Sequence, residues 1–241
     1  MRPIGCSTGA IALGDFSSAL GTLRDQKIPV VEVSLLRETE LKPFVHFLDT
    51  DDSRILMENF SFVSIHAPKS FCDISEEKVV DILTPMFERS WPIVVHADSI
   101  TRFDCWARFG DLLCIENMDS RKHTGRTAQE LENVFRELPE ASFCFDVGHA
   151  RQIDRTMTRA EEMMRTFGDR VKILHVSDVS VSGEHQPLSR MAMMSYSNIA
   201  RMVPEDVPVV IESPVKPDQI ANEVCRVQQS LDSKCHSLLV G

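Results

Sequence analysis

SFCFDVG (142–148) is a short apolar run that alternates large and small side chains and ends near a single acid, Asp146. Seven other runs share its form: PIGCS (3–7), PVVEVSL (29–35), FSFVSIHA (60–67), PIVVHA (92–97), LLCIEN (112–117), VKILHVSD (171–178) and VPVVIES (207–213). They recur roughly every 20 to 35 residues with helically patterned stretches between them, the order of a repeated strand–helix unit. Eight such units in series predict an α/β chain closed as a (β/α)8 (TIM) barrel. An open doubly wound sheet is the alternative, and the uninterrupted series favours closure. Helix starts are marked by Thr127-Ala-Gln-Glu130 and Thr158-Arg-Ala-Glu161, both with capping-box spacing, and by Ser75 ahead of Glu76 and Glu77. Between HADSI (96–100) and LLCIEN there is room for one short helix, around residues 101–109.

Residues two apart on a strand share a face. Two positions before His66, His96, Glu116, Asp146, His175 and Glu212 stand Ser64, Val94, Cys114, Cys144, Ile173 and Val210, all small or branched enough for an inner barrel layer. The intervening Ile65, Val95, Ile115, Phe145, Leu174 and Ile211 then face the helices. One parity rule thus places six polar side chains inside the barrel near the C-terminal ends of their strands, where enzymes of this fold keep their chemistry.

Composition bounds the reading. With 241 residues, 43% of them hydrophobic, the chain has core enough for a single domain spanning 1–241, and it lacks a Gly/Ser- or Pro-rich linker. A net charge of −10 excludes binding to nucleic acid through a general positive field. The opening MRPIGCSTGAIALGDF reads as neither a secretion signal nor a membrane span, and seven Cys without a C-x-x-C pair suit reduced thiols. A cytoplasmic protein without disulfides is expected.

A lone His or Glu at a strand end is usually hydrogen-bonded structure. Three His and three carboxylates converging on one mouth are costly to bury unpaired, and a divalent cation is the natural compensation. Mixed imidazole and carboxylate donors suit zinc, manganese or iron(II) better than calcium or magnesium. Six ligands exceed the three of a typical mononuclear catalytic zinc, so two ions sharing a carboxylate are expected, with Glu116 as the bridge. His149 and His185 are further candidates on the rim. Asp178, three residues after His175, reads either as an acceptor that orients an imidazole or as a loop cap.

In chain order the motifs SIHAP (64–68), VVHAD (94–98), CIENMD (114–119), CFDVGHA (144–150), LHVSD (174–178), GEHQPL (183–188) and VIESP (210–214) resemble the xylose isomerase-like TIM-barrel superfamily, closest in motif to its endonuclease IV (AP endonuclease family 2) branch. The resemblance implies metal ligation by Glu116, Asp146, His175 and Glu212, a quartet shared with sugar isomerases and epimerases. His66 and His96 match the additional pair with which the endonuclease IV branch completes a dinuclear centre. That branch holds a third zinc with a His matching His149 and an Asp-x-His pair; His185 matches, but the Asp position is Gly183, with Glu184 beside it. Further departures bear on substrate. HAPY of the branch is HAPKS here, so Lys69 replaces an aromatic that enters the DNA duplex, which disfavours abasic DNA. PLGxG becomes PLSRM (187–191), with Ser189 and Met191 in place of glycines.

Two enzyme readings follow. The first is a metal-dependent hydrolase of a phosphoester, with a metal-activated water and a small-molecule or phosphorylated substrate met by Lys69, Arg121, Lys122, Arg126 and Arg151 near the rim. The second is a sugar or sugar-phosphate isomerase or epimerase, in which Glu116 and Glu212 act as acid and base around one metal. The Arg that epimerases of the superfamily often carry after the seventh-strand His has no counterpart between His175 and His185, which favours the hydrolase. A metal-binding barrel without catalysis is the third possibility.

Overall fold

In the computed structural model, which describes residues 2–232, each of the eight runs contains a strand. In chain order the strands are β1 (Ile4–Ser7), β2 (Val30–Ser34), β3 (Phe62–His66), β4 (Ile93–His96), β5 (Leu113–Glu116), β6 (Ser142–Asp146), β7 (Val171–Val176), β8 (Asp178–Val179), β9 (His185–Gln186) and β10 (Val209–Ile211). Eight of them form a closed parallel barrel in the order β1-β10-β7-β6-β5-β4-β3-β2, with helices in the connections. The remaining two, β8 and β9, make an antiparallel ribbon in the loop after β7.

The parity rule describes the core. Val94, Cys114, Cys144, Ile173 and Val210, joined by Val30, form a fully buried inner cluster with Phe62 packed against it. Ser64 completes this layer and donates to Glu32 Oε2 at 2.9 Å. Ile65, Val95, Ile115, Phe145, Leu174 and Ile211 belong instead to the larger core between the strands and the helices. Each such side chain contributes about 1.5–3 kcal/mol when removed from water, so strand phase is strongly specified and the polar residues that share the inner phase have nowhere else to go.

β1 passes very close to β2: a Cβ on Gly5 would lie 1.8 Å from the Val30 carbonyl oxygen, a backbone atom that cannot swing aside. Gly5→Ala is therefore expected to destabilise the barrel by about 3 kcal/mol, at the upper end of overpacking costs. Urea unfolding measures it, and an unchanged midpoint would contradict the close approach.

The helix starts match in part. Ser75 caps Glu76–Glu88 by accepting from Lys78 N–H, and Thr127 caps Ala128–Glu137 by accepting from Glu130 N–H. The box at Thr127 is not closed, because the Glu130 carboxylate takes the Arg126 backbone N–H and guanidinium instead. Thr158 is the first residue of its helix, not its cap; Met157 occupies that position at φ 66°, while Asp154 accepts from Thr156 and Arg159 N–H. Between β4 and β5 lie a short helix, Phe103–Trp106, and a 3-10 turn, Ala107–Leu112. In PLSRM, Ser189 caps Arg190–Ile199 by accepting from Ala192 N–H. Cys6, Cys72, Cys105, Cys114, Cys144 and Cys225 are free thiols, and Cys235 lies outside the described residues. Among the described residues no helix is long and apolar enough to cross a membrane.

Candidate metal centre

Strand register sets the depth of each polar side chain. His96 pairs with Glu116 and Asp146 with His175, but His66 pairs with Val94 and Glu116 with Cys144. The stagger sinks His66 one layer below His96 and Glu116 one layer below Asp146. All four, with His175, are buried, and His66, His96 and Glu116 line a cavity of about 520 Å³.

Glu116 is the hub. Its Oε2 faces His66 Nε2 at 3.1 Å and His96 Nε2 at 3.3 Å, while its Oε1 faces His175 Nδ1 at 3.4 Å and His149 Nδ1 at 3.5 Å. Glu212 Oε2 lies 3.4 Å from the same His175 Nδ1. The far sides of two rings are anchored. His66 Nδ1–H donates to the Ala67 carbonyl at 2.8 Å, and His175 Nε2–H donates to Glu32 Oε2 at 3.1 Å. Each ring therefore turns its other nitrogen toward carboxylate oxygens, the orientation that outer acceptors impose on metal-binding histidines.

Glu32 is the residue that strand-end reasoning misses. It is fully buried in the middle of β2, bonded to Ser64 and His175, and its Oε1 has no hydrogen-bond partner. Its signal in the sequence is a charged residue inside the apolar run PVVEVSL, in phase with Val30 and Ser34.

Buried Asp146 Oδ2, Glu212 Oε2 and His96 Nδ1 likewise lack hydrogen-bond partners. Unpartnered buried oxygens facing imidazoles are expensive without a cation between them, and the donors fit one. Three overlapping groups have their ligand atoms within 4.8 Å of one another: His66, His96 and Glu116; Glu116, Asp146, His175 and Glu212; and Asp146, His149 and His185. A fourth such group is Glu32, His66 and Glu212. The thiols of the inner layer are poor ligands by contrast, since burial pushes Cys114 up to about 12 and Cys144 well above its usual range.

Protonation follows the same geometry. Burial raises Glu116, but His96, His175 and His66 outweigh it and hold the carboxyl well below the usual range. Glu212 is likewise held well below by His175 and His185 against burial. Burial, reinforced by the charges of Glu212 and Glu116, pushes Asp146 well above. His175 is drawn down by burial, yet Cys144, Glu212 and Glu32 keep it well above an ordinary imidazole. Burial takes His96 down to about 4 even with Glu116 beside it.

Ligation requires His175 and Asp146 to be deprotonated, and their metal-free surroundings raise both. Metal affinity is therefore expected to fall as pH is lowered from the elevated His175 value, and binding at pH 7 is expected to release protons. Calorimetry in buffers of different ionisation enthalpy reads the release; identical heats would count against it.

The other expected site residues divide into two sets. His149 Nδ1–H donates to the Asn117 carbonyl at 2.9 Å, and Asp146 Oδ1 accepts the His149 backbone N–H at 2.7 Å. His185, on β9, shares a 2.7 Å hydrogen bond with Ser177 Oγ and stands 3.7 Å from Glu212 Oε2. Lys69, Arg121 and Lys122 line the cavity. Lys122 is paired with Asp98 and Arg121 with Asp119, whereas Lys69 is exposed with no ion-pair partner among the described residues. Arg126 and Arg151 are not brought to the cavity wall. Arg126 is held by Glu130 and Arg151 by Asp178, at 2.7 and 2.8 Å. Asp178 therefore serves Arg151 and not an imidazole.

No protein-family model matches the sequence, and no curated protein is similar to it. Solved structures match it from end to end. Endonuclease IV from Thermus thermophilus is 18% identical with a TM-score of 0.61, over 96% of this chain and 98% of that one. A xylose isomerase domain protein from Alicyclobacillus acidocaldarius subsp. acidocaldarius is 11% identical with a TM-score of 0.67, over the whole of both chains. This chain shares their fold. The IolI protein, solved with a zinc atom bound, is 10% identical with a TM-score of 0.60, over 99% of this chain and all of that one. The resemblance carried by the motifs is thus borne out at the level of the fold, the closed eight-stranded barrel.

Proposed function

We propose that this chain is a divalent-metal-dependent hydrolase of a phosphoester, acting on a small phosphorylated molecule. The observation that carries the reading is the division of Glu116: one oxygen belongs to His66 and His96, the other to His175. A carboxylate whose two oxygens serve separate imidazole sets is what a bridge between two ions requires. His66 and His96 would complete the first ion, and Asp146, His175 and Glu212 the second, with zinc, manganese or iron(II) suited to the donors. When bound, such a pair lowers the pKa of a water and stabilises charge on phosphoryl oxygens.

The chain's own residues do the rest. The cavity wall presents Lys69 as a free ammonium for an anionic oxygen, while Glu116 and Glu212 would hold the ions. The isomerase reading needs those same carboxylates as proton carriers. Glu116 already has an imidazole against each of its oxygens, and Glu212 has His175 and His185 beside Oε2.

Metal analysis of protein purified without chelators is expected to find two ions per chain. Turnover of bis(p-nitrophenyl) phosphate is expected to be lost in His66→Ala. A single tightly held ion, with solvent deuterium exchanging into a ketose, would sink the proposal in favour of the isomerase. Lys69→Ala is expected to raise KM about tenfold with kcat little changed, the mark of a group that binds ground and transition states alike; an unaltered KM would remove Lys69 from the site.

A further inference from the structure

The third donor group, Asp146, His149 and His185, has a further carboxylate beside it. His149 Nε2 points at Asp119 Oδ2 across 4.0 Å, too far for a hydrogen bond and short enough for both atoms to touch one cation. Asp119 is buried and follows Glu116 by three residues, so the barrel fixes its place beside the imidazole. It is already claimed. Arg121 Nε donates to Oδ1 at 3.0 Å and Nη2 to Oδ2 at 2.6 Å, so both carboxylate oxygens serve one guanidinium.

The guanidinium is also locked from the other side. Arg121 Nη1 donates to the Ser182 carbonyl at 3.0 Å, in the turn between β8 and β9. It lies flat on Gly183, where a Cβ would meet Arg121 Cζ at 2.1 Å and where φ is +78°. A side chain at 183 would displace the arginine. Glycine there and Arg121 on the facing loop form one arrangement, held between β5 and the ribbon.

We propose that Arg121 is the permanent third cation of this centre. Its guanidinium occupies Asp119, the buried carboxylate that faces His149 Nε2, so the chain takes two ions and supplies the third positive charge itself. The inference rests on the metal-centre reading above. Two physical points support it. A guanidinium stays charged at every accessible pH and repels a divalent ion placed against the same carboxylate. Of its five N–H donors, three are engaged by Asp119 and Ser182, leaving two at the cavity wall for an anionic substrate oxygen.

The test is a difference in zinc content between variants and the wild-type chain, read by elemental analysis after saturation and desalting. Arg121→Ala frees Asp119 and is expected to gain one equivalent. Arg121→Lys keeps a cation beside Asp119 and is expected to gain none. Asp119→Asn combined with Arg121→Ala is expected to return to the wild-type number. Should Arg121→Ala not fold, Arg121→Gln, which retains a donor for the Ser182 carbonyl without the charge, serves in its place. No gain in the neutral variant, an equal gain in Arg121→Lys, or three ions in the wild-type chain would overturn the proposal. A wild-type count below two tells against the dinuclear reading instead, and the variant difference still reads the arginine.

Discussion

Glu116→Gln is expected to empty both proposed ion positions at once, whereas His96→Ala is expected to lose one ion and leave the other. The difference comes from the sharing of Glu116: its Oε2 belongs to the group with His66 and His96, and its Oε1 to the group with Asp146, His175 and Glu212. Glutamine matches the shape but offers one neutral oxygen and an amide, which turns two donors toward imidazole nitrogens. Turnover is expected to fall by on the order of 10³-fold or more, as when one member of a cooperating set is removed. The barrel is expected to survive, because its inner layer of Val30, Val94, Cys114, Cys144, Ile173 and Val210 lies beneath the cluster and does not depend on it.

The cost to the metal-free fold has a definite sign. Glu116 is a carboxylate held below its unfolded value, so it stabilises above the unfolded pKa and loses that contribution as pH falls through the folded one. The Gln variant lacks the contribution at neutral pH. Its thermal midpoint is expected to sit below the wild type's at pH 7 and to approach it in acid. Two ions retained by Glu116→Gln would refute the bridge.

What the sequence discloses about this centre follows from strand phase. A one-residue slip would turn Val94, Ile173 and Val210 out of the barrel, so the apolar residues fix the direction of His96, His175 and Glu212 without any knowledge of a ligand. Glu32 escapes that reading for a physical reason. Attention to strand ends selects the rim, and Glu32 pairs with Ser64, one layer below His66, where an acid has no solvent to explain it.

The basic residues show the opposite limit. Lys69, Arg121, Arg126 and Arg151 look equivalent as charges on loops after strands. Only the fold shows that Glu130 and Asp178 hold two of them away from the cavity wall, while Asp119 and Gly183 hold Arg121 on it. Helix caps divide similarly. Thr127 and Thr158 have the same spacing to a Glu, yet Asp154 supplies the acceptor for the second helix and Thr158 moves inside it.

Glu32→Ala is expected to weaken the ion held by the Glu116, Asp146, His175 and Glu212 group by about 10–100-fold, the usual cost of removing an outer partner of a histidine ligand. Neutral imidazole carries one N–H, and the acceptor it meets decides which nitrogen keeps a lone pair. Glu32 Oε2 takes the Nε2–H of His175, so Nδ1 is left facing Glu116 Oε1 and Glu212 Oε2, each at 3.4 Å. Without Glu32 the ring is free to carry its hydrogen on Nδ1, where it blocks the ion.

The ion position proposed for His66 and His96 would not share this dependence, since His66 is anchored by the Ala67 carbonyl. The two affinities are therefore expected to separate in a metal titration of Glu32→Ala. Glu32→Gln retains an acceptor for the Nε2–H without the negative charge, so its loss is expected to be smaller. Equal weakening of both ions in both variants would show that Glu32 acts through the general field of the barrel mouth and not through the orientation of His175.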